Sequence, residues 1–523
     1  MSFHAALRTG VKHVFLRFEE ALDAPFGGED NPLRHLGALG LYLLWIIVGS
    51  GLYLYIVLDT GIDAVYHSIS DLSLDQWYLV GILRSLHRYA ADGFMGVMLL
   101  HLVREWCYGR YYGFRLYSWM TGVPLLWLAY IAGIGGYWIV WDQLAQLSAT
   151  ATSELLDWLP IFSEPSARNF LSPEAISDRF FTMLVFLHLG IPLLLILGLW
   201  AHVHRISHVD YLPSRRAMLA TLGALGVLSL LQPALSNPPA NLATVPGRIG
   251  FDWFILFIHP LTDLTSPAIV WSLLFGLTTL LFALPLLPHP AAAPVAVVDA
   301  ANCTGCDRCL ADCPYAAIAM QPHPLRPGLK LAVVDPDLCA ACGICAGSCP
   351  SSTPFRRRET LVTGIDMPQQ PVNALREQLE QVLPRLVGRQ RILIFACARA
   401  ADAGALAAAD TAVIPLLCTG MLPPSFVEYA LRRGADGVLL NTCRSGGCDF
   451  RLGDRWTRER LQGEREPHLR RTVPSARVHV QAAAADDGST LAQALADFRT
   501  RLASDVASSD RLQPYLRSTS HHV

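Results

Sequence analysis

The sequence predicts a multidomain protein in which an α-helical membrane bundle of six spans precedes two small cysteine-bearing domains, one α+β and one α/β. Long apolar runs dominate the chain up to about residue 287. After the Pro/Ala-rich stretch Pro285–Pro294 the chain becomes charged and Gly-rich. Twelve of the thirteen cysteines lie after residue 300. This shift in composition marks the main domain boundary.

Six apolar stretches are each about 20 residues long, which matches the bilayer core. They lie near residues 36–58, 81–103, 117–141, 181–203, 216–235 and 267–287. Short arginine-bearing loops alternate with the acidic loop 59–75 and the mixed loop 142–178, and basic loops mark the cytoplasmic side. Loops 142–179 and 236–266 are therefore expected outside. Both termini and the cysteine-bearing region are expected in the cytoplasm, and the expected location is a prokaryotic cytoplasmic (inner) membrane.

The first thirty residues predict a helix on the inner membrane surface, in contact with lipid. Leu7, Val11, Phe15 and Leu22 recur at helical spacing among basic residues, as in interfacial amphipathic helices.

Charge and cysteine usage exclude several functions. A net charge of −2 provides no basic field for a phosphate backbone, so nucleic acid is not an expected partner. Closely spaced cysteines in a reducing compartment indicate metal ligation and not disulfides. The sequence carries no flavin or nucleotide motif, so oxidation of NAD(P)H or another substrate is expected on a partner chain.

Two pairs of histidines repeat one interval inside predicted spans. His87 and His101 lie 14 residues apart in the second span, and His188 and His202 lie 14 apart in the fourth. Because this is nearly four turns, each pair falls on roughly one helix face, about 21 Å apart along the axis. Two facing helices would offer two bis-histidine sites, which suit two haems b. An interhelical hydrogen bond would explain a single membrane histidine, but matched pairs favour haem.

Four glycines repeat the same 14-residue interval, Gly37 and Gly51 in the first span and Gly122 and Gly136 in the third. A glycine opposite a haem removes a side chain that would collide with the flat macrocycle. Close helix packing is the alternative for any one of them.

Two arginines flank the histidines of the second span. Arg84 lies three residues before His87 and Arg104 three residues after His101, where a guanidinium could pair with a haem propionate. Snorkelling to the membrane interface is the alternative.

The order of these motifs resembles cytochrome b of the quinol-oxidising cytochrome bc complexes, over roughly residues 30–287. The resemblance is carried by Leu83-Arg84-Ser85-Leu86-His87, by Gly136-Tyr137 followed by Trp141-Asp142-Gln143, and by Arg179-Phe180-Phe181. It implies a cytochrome b bundle in which His87 and His188 hold the outer haem and His101 and His202 the inner one. The last two spans of that family and a Rieske-type Cys/His pair do not occur in this sequence.

A loop between the fifth and sixth predicted spans resembles the outer quinol site of the same family. The stretch Phe251-Asp252-Trp253-Phe254 stands where the family carries Pro-Glu-Trp-Tyr. The resemblance implies that Asp252 accepts a proton from quinol, with a side chain one methylene shorter than glutamate. The alternative is a solvated loop carboxylate.

Eight cysteines form two copies of the pattern Cys-x2-Cys-x2-Cys-x3-Cys-Pro. The first copy is Cys303, Cys306, Cys309 and Cys313, and the second is Cys339, Cys342, Cys345 and Cys349. Zinc sites usually use two spaced pairs, so three thiolates in seven residues favour [4Fe–4S] clusters. The pattern resembles bacterial two-cluster ferredoxins, which exchange the fourth ligand between copies. The resemblance implies one cluster on Cys303, Cys306, Cys309 and Cys349 and another on Cys339, Cys342, Cys345 and Cys313.

A third cysteine set follows three predicted strands, 391–396, 411–417 and 437–440. Cys397, Cys418 and Cys443 each lie just past the end of one strand, and Cys448 follows. Open α/β sheets build their sites at this edge, and four thiolates there suffice for a [2Fe–2S] cluster. Ordinary core packing of cysteines is the alternative.

Residues 390–465 resemble the delta subunit of methyl-viologen-reducing hydrogenase. The segments Gly434-Ala435-Asp436-Gly437-Val438 and Cys443-Arg444-Ser445-Gly446-Gly447-Cys448 carry the resemblance. It implies an electron conduit to a soluble flavoprotein of the heterodisulfide-reductase type. The chain departs from the family at Ala398-Arg399, where a second cysteine often follows, and at Arg444 and Asp449, where histidines are usual.

The predicted domains are a surface helix (1–30), the cytochrome b bundle (31–287), a linker (288–296), the ferredoxin-like module (297–360), the [2Fe–2S] domain (385–465) and a C-terminal tail (466–523). The predicted function is electron transfer between quinone or quinol and the soluble flavoprotein, in a multi-subunit oxidoreductase whose chain forms a homodimer. One alternative is a membrane anchor and conduit without a quinone site. Another is a transmembrane reductase whose outer haem serves an extracellular acceptor.

Overall fold

The structure is a computed structural model that describes residues 3–28, 30–161, 176–244, 249–289, 293–357 and 359–516, with the backbone alone at residues 3, 5 and 505–516. It divides into two compact units. The first is Met1–His204 with Val209–His289, and the second is Arg205–His208 with Pro290–Val523. The predicted linker 288–296 lies partly outside the described residues.

The first unit is helical. Its helices are α1 (Phe3–Phe26), α2 (Leu36–Val57), α3 (Val65–Asp75), α4 (Ile82–Cys107), α5 (Leu116–Val140), α6 (Gln143–Asp157), α7 (Asp178–Val203), α8 (Arg215–Leu231), α9 (Ile258–Leu264) and α10 (Pro267–Ala283).

Four segments of the described chain are long and apolar enough to cross a membrane. They are Pro32–Val57, Gly113–Val140, Asp178–Val203 and Pro267–Leu286, which contain α2, α5, α7 and α10. The other two predicted spans fall on α4 and α8. Helix α4 is long enough but carries several charged side chains, among them Arg88 and Asp92. Helix α8 has only 17 residues.

The helices pair in a way that places the histidines against the glycines. Helix α2 packs most extensively against α4, and α5 against α7. Leu43, Phe94, Tyr130 and Leu256 lie in the core between these helices. The histidine-bearing helices α4 and α7 therefore each pack against a glycine-bearing helix.

Helix α1 lies where the amphipathic pattern predicts a helix, and part of it is buried. Phe15 packs with Leu36 and Cys107. Glu19 is 3% exposed, and Leu7 on the same helix is exposed. Cys107 is buried in this cluster, in agreement with a packing role.

The second unit combines α+β and α/β structure. Its elements are β1 (Val297–Val298), α11 (Arg308–Asp312), β2 (Ile318–Pro322), β3 (Lys330–Val334), α12 (Ile344–Ser348), β4 (Ile365–Asp366), α13 (Val372–Val382), β5 (Ile392–Cys397), β6 (Thr411–Leu416), α14 (Ser425–Arg432), β7 (Gly437–Thr442), α15 (Gly453–Gln462), β8 (Val478–Ala482) and α16 (Gly488–Leu516).

Two antiparallel strand pairs and two short helices form the ferredoxin-like module. Strand β1 pairs with β4, and β2 pairs with β3. Each short helix, α11 and α12, carries the third cysteine of one motif, Cys309 or Cys345. The short elements leave much of the backbone in loops around the cysteines.

A parallel sheet in the order β6-β5-β7-β8 forms the α/β part. The three predicted strands are confirmed as β5, β6 and β7. Strands β5 and β7 are buried along their whole length, which explains the apolar runs Ile392–Cys397 and 437–440.

The sheet extends beyond the predicted boundary at residue 465. Strand β8 adds a fourth strand beside β7, and α16 covers one face with Leu491, Leu495, Phe498 and Leu502. Strand β8 was not predicted, although Val478-His479-Val480-Gln481-Ala482 alternates as a half-buried edge strand does.

Candidate haem and iron–sulfur sites

His87 on α4 faces His188 on α7. Their ring centroids are 6.3 Å apart. With metal–imidazole bonds of about 2 Å, one ion between the facing nitrogens fits this separation. Nδ1 of His87 lies 2.9 Å from the carbonyl oxygen of Ile47, and Nδ1 of His188 lies 3.1 Å from that of Ala132. When Nδ1–H donates to a carbonyl, Nε2 keeps the lone pair that binds a metal.

The other histidine pair lies one 14-residue interval further along α4 and α7. His202 lies close enough to His101 for charges on the two rings to interact. Nδ1 of His202 is 3.1 Å from the hydroxyl oxygen of Thr121, which leaves Nε2 available as at the first pair.

Each predicted glycine faces one of these histidines. A Cβ built on Gly51 would lie 2.7 Å from Cε1 of His87, and one on Gly37 would lie 3.9 Å from Cε1 of His101. On the other helix pair, a Cβ on Gly136 would lie 3.0 Å from Cε1 of His188, and one on Gly122 would lie 3.1 Å from Cε1 of His202. The structure thus brings the four glycines and four histidines together, one to one.

The two predicted arginines have different partners. Arg84 is buried and donates to the hydroxyls of Ser73 at 3.2 Å and Ser236 at 2.9 Å. These neutral partners leave its positive charge available to an anionic group such as a propionate. Arg104 instead binds a carboxylate of the chain itself, because its Nε lies 3.0 Å from Oε1 of Glu19 on α1.

Glu19 lies next to the predicted site residue Arg104 and was not predicted from the sequence. It also faces Arg34 at 3.6 Å, and both side chains are 3% exposed. The sequence gives it no distinguishing signal, because Glu20 and Asp23 on the same helix are also acidic. The ion pair between Glu19 and Arg104 links α1 to the end of α4 that carries His101.

Asp252 lies in a polar cluster at the loop before α9. Its Oδ1 accepts the backbone N–H of Phe254 at 2.8 Å and of Ile255 at 3.0 Å. Its Oδ2 accepts the Tyr137 hydroxyl and, at 3.1 Å, an N–H of Arg88. Burial raises the pKa of Asp252, but these hydrogen bonds outweigh it and hold the pKa below its ordinary value.

Several of the eight ferredoxin-type cysteines have thiol neighbours from the opposite motif. Burial raises the pKa of Cys309 to about 12, and the neighbouring thiols of Cys306, Cys349 and Cys303 add to the increase. Burial likewise raises the pKa of Cys342, next to Cys313 and Cys339, and that of Cys345, beside the same group. Cys349 and Cys313 thus each lie with the opposite motif.

The third cysteine set meets at the carboxyl edge of the parallel sheet. Cys397 ends β5, and its Sγ lies 3.6 Å from Sγ of Cys443. Hydrogen bonds from Cys418 and Cys443 hold the pKa of Cys397 below its ordinary value. Cys448 is within hydrogen-bond reach of Cys418 and Cys443. Four thiols in mutual contact are a donor set that fits a [2Fe–2S] cluster.

A glycine makes room for this third set. A Cβ built on Gly453 would lie 2.1 Å from Sγ of Cys418 and 3.5 Å from Sγ of Cys448. The sequence did not single out Gly453, which begins helix α15.

The positions at which the chain departs from the delta-subunit pattern carry ion pairs. Arg399 lies 3.5 Å from Asp449, and Arg444 binds Asp487 at 2.5 Å. Residues of these ion pairs therefore occupy positions beside the third cysteine set at which the delta-subunit family carries cysteine or histidine.

Within the second unit, one ferredoxin-type group adjoins the third set. A Cβ on Gly347 would lie 2.2 Å from the carbonyl oxygen of Gly420, so α12 packs directly on the turn after Cys418. Cys448 lies close enough to Cys342 for charges on the two thiols to interact. The group that contains Cys342 is thus the neighbour of the third set.

Among the described residues, no three His, Cys, Asp or Glu side chains converge as they would around a single metal ion. Haem takes only two axial ligands, and a cluster spreads its thiolates over several iron atoms. The arrangement of histidines and cysteines is therefore compatible with haem and clusters.

The sequence models of three families match the chain in the order of the resemblances. Cytochrome b(N-terminal)/b6/petB matches residues 92–224, the 4Fe-4S dicluster domain matches 302–353, and the delta subunit of methyl-viologen-reducing hydrogenase matches 392–504.

One similar protein and one similar solved structure concern the first of these regions. A cytochrome b from Mycena viridimarginata is 27% identical over 309 residues, which cover 53% of this chain and 79% of that protein. A hyperthermophilic respiratory Complex III shares 18% identity with a TM-score of 0.41, over 49% of this chain and 76% of the other.

Fold and sequence together define a membrane electron-transfer protein, a redox subunit of an oxidoreductase complex. The chain joins a region similar to the N-terminal part of cytochrome b to a 4Fe-4S dicluster domain and a domain similar to the hydrogenase delta subunit, in that order.

Proposed function

We propose that this chain links the quinone/quinol pool to a soluble flavoprotein oxidoreductase through two haems b, two [4Fe–4S] clusters and one [2Fe–2S] cluster. The observation that carries the proposal is the juxtaposition of His87 with His188, each opposed by a glycine, on a chain that continues into three cysteine groups. Haem and clusters supply reversible one-electron chemistry.

In the membrane region, the chain's own residues would hold and orient the haems. His87 and His188 would ligate one and His101 and His202 the other, each with Nε2. Hydrogen bonds at Nδ1 fix the orientation of the rings. Arg84 would neutralise a propionate of the outer haem, and Glu19 would set the charge around Arg104.

In this proposal the chain crosses the membrane six times, with both termini and the cysteine groups in the cytoplasm of a prokaryote. The proposal counts α4 and α8 as spans besides the four most apolar segments. Two arginines of α4 are compatible with this because they face the protein interior: Arg84 is 9% exposed and Arg104 3% exposed, and polar side chains in membrane helices usually face inward. Arg88 is 35% exposed and pairs with Asp252.

In the cytoplasmic region, the order of the cysteine groups defines the order in which the clusters would pass electrons. The group of Cys313, Cys339, Cys342 and Cys345 adjoins the third set, so the third set is the one nearest to a partner that docks on the α/β domain. The expected partner is a flavoprotein of the heterodisulfide-reductase type, in a multi-subunit complex.

The quinone would bind beside the loop that carries Asp252. Tyr137, Phe254 and Trp253 provide aromatic surface there, and Trp253 is 71% exposed. We propose that Asp252 accepts a quinol proton after releasing one of its present hydrogen bonds.

The second candidate function is a membrane anchor and electron conduit without its own quinone site. One observation favours it, because both oxygens of Asp252 are already engaged by Arg88, Tyr137 and the backbone.

The deciding experiment adds a short-chain hydroquinone anaerobically to the oxidised, purified protein and follows the haem b absorption. The proposal predicts reduction of haem, which a quinone-site inhibitor slows and Asp252→Asn slows as well. If hydroquinone leaves the haem oxidised while dithionite reduces it, the anchor function replaces the proposed one.

A further inference from the structure

We propose that Asp92 on α4 is a second carboxylate of the quinol pocket, whose Oδ1 accepts a hydrogen bond from a hydroxyl of bound hydroquinone. This inference rests on the proposed function and specifies which side chain meets the substrate first.

The first argument is the position of Asp92 on its helix. Arg88, Asp92 and Gly96 lie four residues apart and therefore on one face of α4. Arg88 binds Asp252 at 3.1 Å, and a Cβ on Gly96 would lie 4.0 Å from Cζ of Phe254. The residues one turn before and one turn after Asp92 thus both meet the 252–254 loop, so Asp92 faces the same loop.

The second argument is the state of the two carboxylates. Asp252 receives hydrogen bonds at both oxygens. In the described part of the chain, Oδ1 of Asp92 is buried and has no hydrogen-bond partner. A buried carboxylate oxygen that lacks a donor costs free energy, and a ligand hydroxyl would provide the donor.

The third argument is the charge around Asp92. Arg88, Asp252 and Tyr137 are the titratable or charged groups that face it. Arg88, the cation among these described groups, already pairs with Asp252 and stacks over the ring of Tyr137, with Cζ 5.2 Å from the centroid. An anionic ligand would therefore be repelled, and a neutral hydroxyl donor such as hydroquinone fits.

The test measures the rate of haem b reduction against hydroquinone concentration in purified wild type, Asp92→Asn and Asp92→Ser. Neither variant presents a carboxyl oxygen to the hydroxyl of hydroquinone, so the half-saturating concentration should rise about tenfold. The limiting rate should change less, which distinguishes a binding role from a structural one. Asp71→Asn, which changes an exposed carboxylate on α3, is the matched control and should keep the wild-type value.

The outcomes distinguish a failure of the proposed function from a failure of the role proposed for Asp92. If wild type is not reduced by hydroquinone, the proposed function fails. If wild type is reduced and both variants at residue 92 keep its half-saturating concentration, the role of Asp92 is overturned while the function stands. The dithionite-reduced spectrum verifies haem content. If Asp92→Asn loses haem, the Asp92→Ser variant decides.

Discussion

Gly51 on α2 faces the imidazole of His87 on α4 so closely that a Cβ on the glycine would lie 2.7 Å from Cε1 of the ring. Real side chains do not approach each other so closely. The ring can therefore occupy its position only because residue 51 has no side chain.

A valine at residue 51 should displace His87 and remove the haem that it would hold. The Gly51→Val variant should lose about half of the reduced-minus-oxidised α-band absorbance, since one of two haem sites is lost. Gly49→Val is the control, because nothing lies within 4 Å of a Cβ at Gly49. Full absorbance in Gly51→Val would refute the haem site at His87.

The third cysteine set should be separable from the other two by a single substitution. Cys418→Ser removes a thiol that contacts Cys397 and Cys448, so the electron paramagnetic resonance (EPR) signal of a [2Fe–2S] cluster should disappear while [4Fe–4S] signals persist. Cys107→Ser should keep every signal, because Cys107 is buried against Phe15 and Leu36. Survival of the [2Fe–2S] signal in Cys418→Ser would assign that signal to other ligands.

Arg460 should be a main stabiliser of the junction between the two cysteine-bearing domains. Its side chain is 1% exposed and binds Asp312, the residue before Cys313, and donates to the carbonyl of Gly420 at 2.7 Å. Arg460→Met should cost about 2 kcal/mol, since Oδ2 of Asp312 and the carbonyl of Gly420 lose this donor, while Arg465 still pairs with Oδ1 of Asp312. Urea-induced loss of cluster absorbance measures this effect.

The matched control for Arg460 lies on the same helix. Arg455 pairs with Glu459 at 2.9 Å, but half of its side chain is exposed. Arg455→Met should therefore cost no more than about 0.5 kcal/mol. Equal urea midpoints for the two variants would contradict the stabilising role of Arg460.

The charge on Asp252 should stabilise the fold above acidic pH only. Its folded-state pKa lies below the ordinary 3.8, so its contribution is fully present above 3.8 and is lost as pH falls through the lower folded value. Asp252→Asn should cost about 1–3 kcal/mol at pH 6, towards the lower end because Arg88 is 35% exposed. Thermal midpoints of variant and wild type should begin to converge as pH falls below 3.8 and should meet below the folded-state pKa, and a gap independent of pH would contradict this assignment.

The sequence predicted most of what depends on periodicity and spacing. The 14-residue interval identified which glycines and histidines meet, because four helical turns return a side chain to one face. Apolar runs identified β5, β6 and β7, because strands buried on both faces carry little else.

What the sequence did not reveal depends on tertiary contacts. The pairing of Arg104 with Glu19 joins residues that are 85 positions apart. Among the described residues, Oδ1 of Asp92 has no hydrogen-bond partner, and Arg88, one turn before it, binds Asp252. Which strand β8 pairs with became known only from the structure, where it lies parallel to β7 at the edge of the sheet.

The most direct test of the central claim, that quinone and the cytoplasmic clusters exchange electrons through the membrane region, starts from fully reduced protein. A pulse of quinone is added, and haem absorption and cluster EPR signals are followed in wild type and His202→Leu. The account predicts rapid reoxidation of haem and then of clusters in wild type, whereas clusters in His202→Leu stay reduced. Clusters that reoxidise equally fast in both proteins, or haem that stays reduced after the pulse, would contradict it.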